Sequence, residues 1–145
     1  MKTLNLAVFV LAILASVSRA DENDNKDDTV EYFRPFPIVG FSIDADENVK
    51  AAAREINDII DAKFVWECKT NPVCCVWIEI SRWTPNPGTP GYIIVNQPGG
   101  SIITASNAEQ LRLAVKRFKE SIRVNDGEIQ VPTGLLTNYS VVEDR

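Results

Sequence analysis

The carboxylates placed to do chemistry are Asp44, Asp46, Glu47, Glu67, Glu79, Asp126 and Glu128. Two of them held together, one protonated and one ionised, would hydrolyse a glycosidic bond. Most fall at helix starts, on helix surfaces or in turns, where acids serve structural ends. Glu79 is the exception, mid-strand and on the same strand face as Trp77. Trp77, Trp83 and Tyr92 would give an aromatic surface for a sugar ring or a protein, so Trp77, Trp83, Tyr92 and Glu79 are the expected ligand contacts. A structural reading competes, with Trp77 in the core and Trp83 as a lid over one edge of it. The chain has no histidine. That removes Ser-His-Asp and Cys-His nucleophilic sites, the usual zinc sites, and the side chain most used for proton transfer near neutral pH. No phosphate-cradling glycine motif is present, and Pro98-Gly99-Gly100 joins two strands, so it reads as a hairpin turn. No catalytic, cofactor-binding or metal residue is assigned, and no cofactor is expected.

Three cysteines remain, Cys68, Cys74 and Cys75. A disulfide from Cys68 to Cys74 or Cys75 would close a short loop, and neighbouring cysteines in a strand face opposite ways, so one thiol is left over. The leftover thiol either packs as a small hydrophobe or links two chains into an oligomer. Asn138-Tyr139-Ser140 is an N-glycosylation sequon. Arg112, Lys116, Arg117, Lys119 and Arg123 make one helix locally basic, a surface for an acidic glycan, for the chain's own acidic segment, or simply for solvent.

The elements that would position these residues follow from pattern. Residues 38–43 (IVGFSI) read as a first strand. Asp44 with Glu47 three residues later resembles a capping box, and Val49, Ala52, Ala53, Ile56, Ile59 and Ile60 recur at helical spacing up to Ala62 or Lys63. Residues 73–80 (VCCVWIEI) are β-branched and aromatic and predict a strand. Residues 83–91 hold three prolines and two glycines and predict a loop. Residues 92–96 and 101–105 predict a hairpin. Ser106 with Glu109 starts a second helix whose buried stripe is Leu111, Ala114, Val115, Phe118 and Ile122. Residues 128–131 predict a last strand, and residues 135–142 an extended tail. The expected fold class is α+β, a mostly antiparallel sheet with two helices packed on one face and the opposite face left to water or a partner.

Residues 1–20 carry a basic start, a short apolar run and Ser18-Arg19-Ala20, and are expected to be a signal peptide. Residues 21–28 (DENDNKDD) open an expected disordered acidic segment, residues 21–35, which lacks the glycine and distal glutamate of a calcium loop. Residues 36–145 are then a single domain. Losing residues 1–20 removes Lys2 and Arg19 and no acid, which takes the formal net charge from −5 to −7. Such a chain is expected to avoid nucleic acid and membrane surfaces.

Gly91-Tyr92-Ile93-Ile94-Val95, then Gly100-Ser101-Ile102-Ile103-Thr104-Ala105, then a helix from Asn107 resembles the small non-catalytic domain that precedes the barrel in β-hexosaminidases and related glycosidases. The earlier helix and the strand 73–80 fit its order, and Val131-Pro132 with residues 139–144 is similar to its closing segment. The resemblance implies the fold. It carries over no catalytic residue, because that family's acids lie in a barrel that this sequence does not contain. The expectation is a secreted, extracellular, non-catalytic binding or structural module of a matrix or mineralised layer, with an extracellular protein or glycan as partner. The alternatives are a secreted inhibitor or toxin-like protein, although a cystatin's Q-x-V-x-G is missing, and a lectin-like glycan binder. An enzyme with an unusual carboxylate pair stands last.

Overall fold

The computed structural model describes residues 30–69, 71, 75–81 and 88–139. The expected signal peptide, the acidic run 21–28, Cys74 and Trp83 lie outside the described residues.

Helix α1 (Glu47–Ile60) starts where the Asp46 carboxylate accepts from the backbone N–H groups of Asn48 (2.9 Å) and Val49 (3.1 Å). Asp46 is therefore the N-cap, two residues later than the expected Asp44, because only from the position just before the first turn does a carboxylate reach those N–H groups. Val49, Ala52, Ala53, Ile56 and Ile60 form its buried stripe. It ends at Asp61 in left-handed backbone, φ 52°. Helix α2 (Ala108–Ser121) is capped by Asn107, whose Oδ1 accepts from the Gln110 N–H at 2.9 Å, and buries Leu111, Ala114, Val115 and Phe118. Ser106, expected to cap it, instead accepts from the Gly91 N–H at 3.0 Å.

The described residues also form nine strands: β1 (Tyr32–Phe33), β2 (Ile38–Ser42), β3 (Phe64–Cys68), β4 (Val76–Ile80), β5 (Tyr92–Gln97), β6 (Gly100–Ala105), β7 (Arg123–Asn125), β8 (Glu128–Pro132) and β9 (Gly134–Thr137). A six-stranded sheet has the order β3-β2-β4-β6-β5-β9 and a three-stranded sheet the order β1-β8-β7. Four of the seven pairings are antiparallel. The three parallel ones join β3, β2, β4 and β6. The parallel half arises because α1 carries the chain from β2 over the sheet to β3, the crossover that a parallel neighbour requires. Strand β1 lies inside residues 21–35, so the folded region starts earlier than residue 36.

Alternation on the strands gives the large sheet two apolar faces. Val39, Phe41, Val76, Ile78, Ile94 and Ile103 point to one side, and both helices pack there in a single core. This is the expected α+β arrangement with two helices on one face. The other side is not open across its middle. Ile38, Cys75, Trp77 and Ile102 cluster there, and Ile93, Val95 and Tyr139 form a second cluster beside them.

Candidate functional site: the outer face of the large sheet

Strand β4 aims Val76, Ile78 and Ile80 at the helices and Trp77 and Glu79 at the outer face. Glu79 is level with Thr104 of β6. The Trp77 Nε1–H donates to Glu79 Oε2 at 3.3 Å. Burial pushes the Glu79 carboxyl above the usual carboxylate range, and the Trp77 hydrogen bond and the Thr104 hydroxyl pull it partly back. Thr104 Oγ1 and Glu79 Oε1 are both buried without a hydrogen-bond partner. Asn96, on the helix side of β5, is fully buried with neither amide atom bonded. A lone raised carboxyl of this kind can hold or release one proton. Glycosidic hydrolysis needs a second acid beside it. Of the other candidate acids, Glu67 pairs with Phe41 and faces the helix side, Asp44, Asp46 and Glu47 gather at the start of α1, and Asp126 and Glu128 belong to the β7–β8 hairpin. None joins Glu79 on its sheet face among the described residues.

The expected aromatic surface is not assembled from Trp77 and Tyr92. Trp77 is level with Ile102 and Tyr92 with Ala105. Those two β6 positions are an odd number of residues apart, so the rings lie on opposite faces of the sheet. Trp77 is buried at 4 % exposure, and Tyr92 belongs to the helix-side core at 8 %. Burial pushes the Tyr92 phenol up, with Arg117 lowering it and Glu120 raising it further. Among the described residues the aromatic side chains that face solvent are Phe36, Phe64 and Trp66, the last two flanking Val65. The signal was present in residues 64–68 (FVWEC), a short aromatic and β-branched run, but it directly follows a strong helical pattern and sits on an edge strand.

A Cys68–Cys75 disulfide is ruled out by register. Cys68 is level with Ser42, and Val76 is level with Val39, with β2 between the two strands. Four residues of rise and two strand spacings separate the pair by roughly 16 Å, against a limit of about 7 Å between Cα atoms. Cys68 carries a free, half-buried thiol. Cys75 is buried, with its Sγ 3.9 Å from Asn71 Oδ1.

Asn138 is exposed, while Tyr139 beside it is buried against Ile93 and Val95. Gly91 is forced by that packing, because a Cβ there would stand 2.6 Å from the Tyr139 ring and 2.8 Å from Asn138 Oδ1. The crevice lined by Gly91, Ile93, Thr104, Ala105, Ser106 and Tyr139 has no room for a water-sized molecule. Arg112, Lys116, Arg117, Lys119 and Arg123 are exposed. Among the described residues no three His, Cys, Asp or Glu side chains gather to hold a metal ion, and no helix is long and apolar enough to cross a membrane.

No protein-family model matches this chain, and no curated protein matches it in sequence. Its fold does match solved structures. A GH20 exo-β-N-acetylglucosaminidase from Vibrio harveyi in complex with N-acetylglucosamine aligns with 79 % of this chain at 11 % identity and a TM-score of 0.52, over 17 % of its own length. An inactive mutant of that enzyme aligns with 78 % of this chain at 12 % identity and 0.51, again over 17 % of its length. A GH20 β-N-acetylhexosaminidase from Streptomyces coelicolor aligns with 75 % of this chain at 16 % identity and 0.48, over 24 % of its length. The resemblance to the small domain of β-hexosaminidases thus holds at the level of the fold. The chain spans about a sixth of the length of the Vibrio enzyme, and its described residues form no barrel.

Proposed function

We propose that this chain is an exported, non-catalytic module that binds an extracellular protein through the β3 edge of its large sheet. The observation that supports this is the pair Phe64 and Trp66, exposed at 56 % and 41 % on the outer face of a strand at the end of the sheet order, with Val65 exposed at 43 % on its other face. An edge strand offers unpaired ladder groups as well as side chains, and proteins normally blunt such edges unless something covers them. Contiguous exposed apolar residues mark interaction surfaces. Residues 1–20 supply the export signal, Asn138 is the glycan acceptor on the exposed surface, and the chain turns over no substrate.

The test is secretion from a eukaryotic host followed by capture of partners from the surrounding medium. Export predicts a mature chain beginning at Asp21. Capture lost in a Phe64→Ser, Trp66→Ser double variant but kept in Leu113→Ser, another exposed apolar residue, supports the reading. Capture that survives the double variant overturns it, as does capture of glycans alone. Turnover of a chromogenic N-acetylhexosaminide that disappears in Glu79→Gln would show an enzyme instead.

A further inference from the structure

Strand β3 is exposed on both of its faces, and its far side pairs with no strand among the described residues. The Phe64 N–H donates to the Pro37 carbonyl at 3.3 Å, and the Cys68 carbonyl accepts the Ile43 N–H at 3.0 Å. Backbone groups alternate sides along a strand, so Phe64, Trp66 and Cys68 turn theirs towards β2. Val65 and Glu67 turn theirs to the open edge.

The side chains on either side of Val65 are matched as opposites. Phe64 and Trp66 flank it on the outer face. Lys63 precedes it by two residues and Glu67 follows it by two. Asp61 and Lys69 repeat that exchange of sign four residues away, just beyond the strand ends. All four charged residues are exposed, and none forms an ion pair among the described residues.

A second β3 laid antiparallel and centred on Val65 meets its own complement. Phe64 falls opposite Trp66 of the second copy, Lys63 opposite its Glu67, and Asp61 opposite its Lys69. The smallest slip that keeps faces and hydrogen bonds in phase is two residues. In one direction that slip sets Asp61 against Glu67, and in the other Lys63 against Lys69. Like charges directly opposite are destabilising, so the charge pattern selects the centred register.

We propose that the β3 edge pairs with the β3 edge of a second copy of this chain, antiparallel and centred on Val65, about a twofold axis. The two large sheets then run on as one. Val65 exchanges both backbone hydrogen bonds with its counterpart, and each Glu67 N–H donates to the Lys63 carbonyl across the axis. The Lys63 N–H takes no part, because it already donates to the Pro37 carbonyl at 2.9 Å. The Phe64 and Trp66 rings meet at positions without a hydrogen-bonded pair, where side chains approach most closely. A contact of one short strand falls below the roughly 1,200 Å² of stable complexes, so the dimer forms reversibly and at high protein concentration.

This inference rests on the β3 edge being a binding surface and names what binds there. The test is sedimentation equilibrium of the full chain from a secreting host over a range of concentrations. A reductant is present so that no disulfide links chains. A reversible monomer–dimer equilibrium is expected. Lys63→Glu and Glu67→Lys alone each set like charges across the axis and weaken dimerisation by about tenfold or more. Mixed in equal amounts, the two variants pair with each other as tightly as the native chain pairs with itself, because every charge across the axis again meets its opposite. That rescue also shows both variants to be folded. A chain that stays monomeric, a dimer indifferent to both reversals, or single variants that mixing does not rescue would each overturn the proposal. If the chain is monomeric but Phe64→Ser, Trp66→Ser still abolishes capture of a different secreted protein, only the self-pairing is wrong. If that capture also survives, the reading of the edge falls with it.

Discussion

Asn138 Oδ1 accepts the Tyr92 backbone N–H at 2.8 Å while Asn138 Nδ2 donates to Gln110 Oε1 at 2.8 Å, so one side chain ties the end of β9 to β5 and to α2. Thr137 Oγ1 donates to the Tyr92 carbonyl at 2.6 Å. Between them, Thr137 and Asn138 satisfy both backbone groups of Tyr92. Asn138→Ala strips the partner from a part-buried N–H, which costs about 1–3 kcal/mol. Asn138→Asp keeps the acceptor and loses only the exposed bond to Gln110, so its cost is smaller. Thermal unfolding of the two variants should therefore rank Ala below Asp and both below the native chain. Equal midpoints for all three would mean that the clamp contributes nothing.

Gly91 is held at its size by Tyr139. A methyl at position 91 would enter the ring at 2.6 Å, a distance real contacts do not reach. Gly91→Ala is expected to cost about 1–3 kcal/mol, the usual range for forcing extra volume into packed surroundings. Tyr139→Ala alone also destabilises, by removing a ring buried against Ile93 and Val95. Made together, the two lose less than their sum, because the clash with the ring no longer exists and only the 2.8 Å approach to Asn138 Oδ1 is left. A double-mutant cycle by denaturant unfolding reads that coupling directly, and simple additivity would contradict the geometry.

The parts of this fold that show in the sequence are those whose pattern is local. The stripes of α1 and α2 and the β5–β6 hairpin each repeat with a period that needs no knowledge of neighbours. Strand β3 was hidden because its five residues follow α1 after only a short break and have no buried face to enforce alternation. Strands β1 and β9 are short and take their definition from partners distant in the chain, and β7 is three exposed residues with no buried face to set a pattern. The outer face was half legible. Glu79 and Trp77 stand on it together, as period-two alternation requires. Tyr92 does not, because which face β5 presents depends on its register with β6, and the positions of Trp77 and Tyr92 against that common neighbour are fixed only in the assembled sheet. The same missing register made Cys68 and Cys75 look bridgeable.

The cap of α1 separates two readings of the same acidic run. Asp46 binds two backbone N–H groups, whereas Asp44 has its own N–H on Ser42 Oγ at 3.2 Å. Asp46→Ala should cost about 1 kcal/mol, typical of a lost N-cap. Asp44→Ala leaves the cap intact and should stay within about 0.5 kcal/mol of the native chain, the usual range for surface changes. Chemical denaturation of the two variants decides it, and a larger loss from Asp44→Ala would put the cap two residues earlier.

Glu79 makes a prediction whose sign can be worked out. Its carboxyl is raised in the folded state chiefly because burial penalises the charged form. Below the ordinary carboxylate pKa it is protonated whether folded or unfolded, and burial of the neutral acid carries no charge penalty. As pH rises from that ordinary value through the raised one, the unfolded chain releases its proton first. The folded state binds more protons across this window, so stability falls through it and stays lower above it. Glu79→Gln keeps an oxygen for the Trp77 Nε1–H and cannot ionise. The stability of Glu79→Gln relative to the native chain should therefore increase from pH 4 towards neutrality and then level off, with every other titrating group cancelling in the difference. Paired thermal unfolding across that pH range measures it. A difference that stays flat would mean Glu79 ionises as freely in the fold as in the open chain, and one that shrinks with rising pH would mean an unseen cation holds its charge.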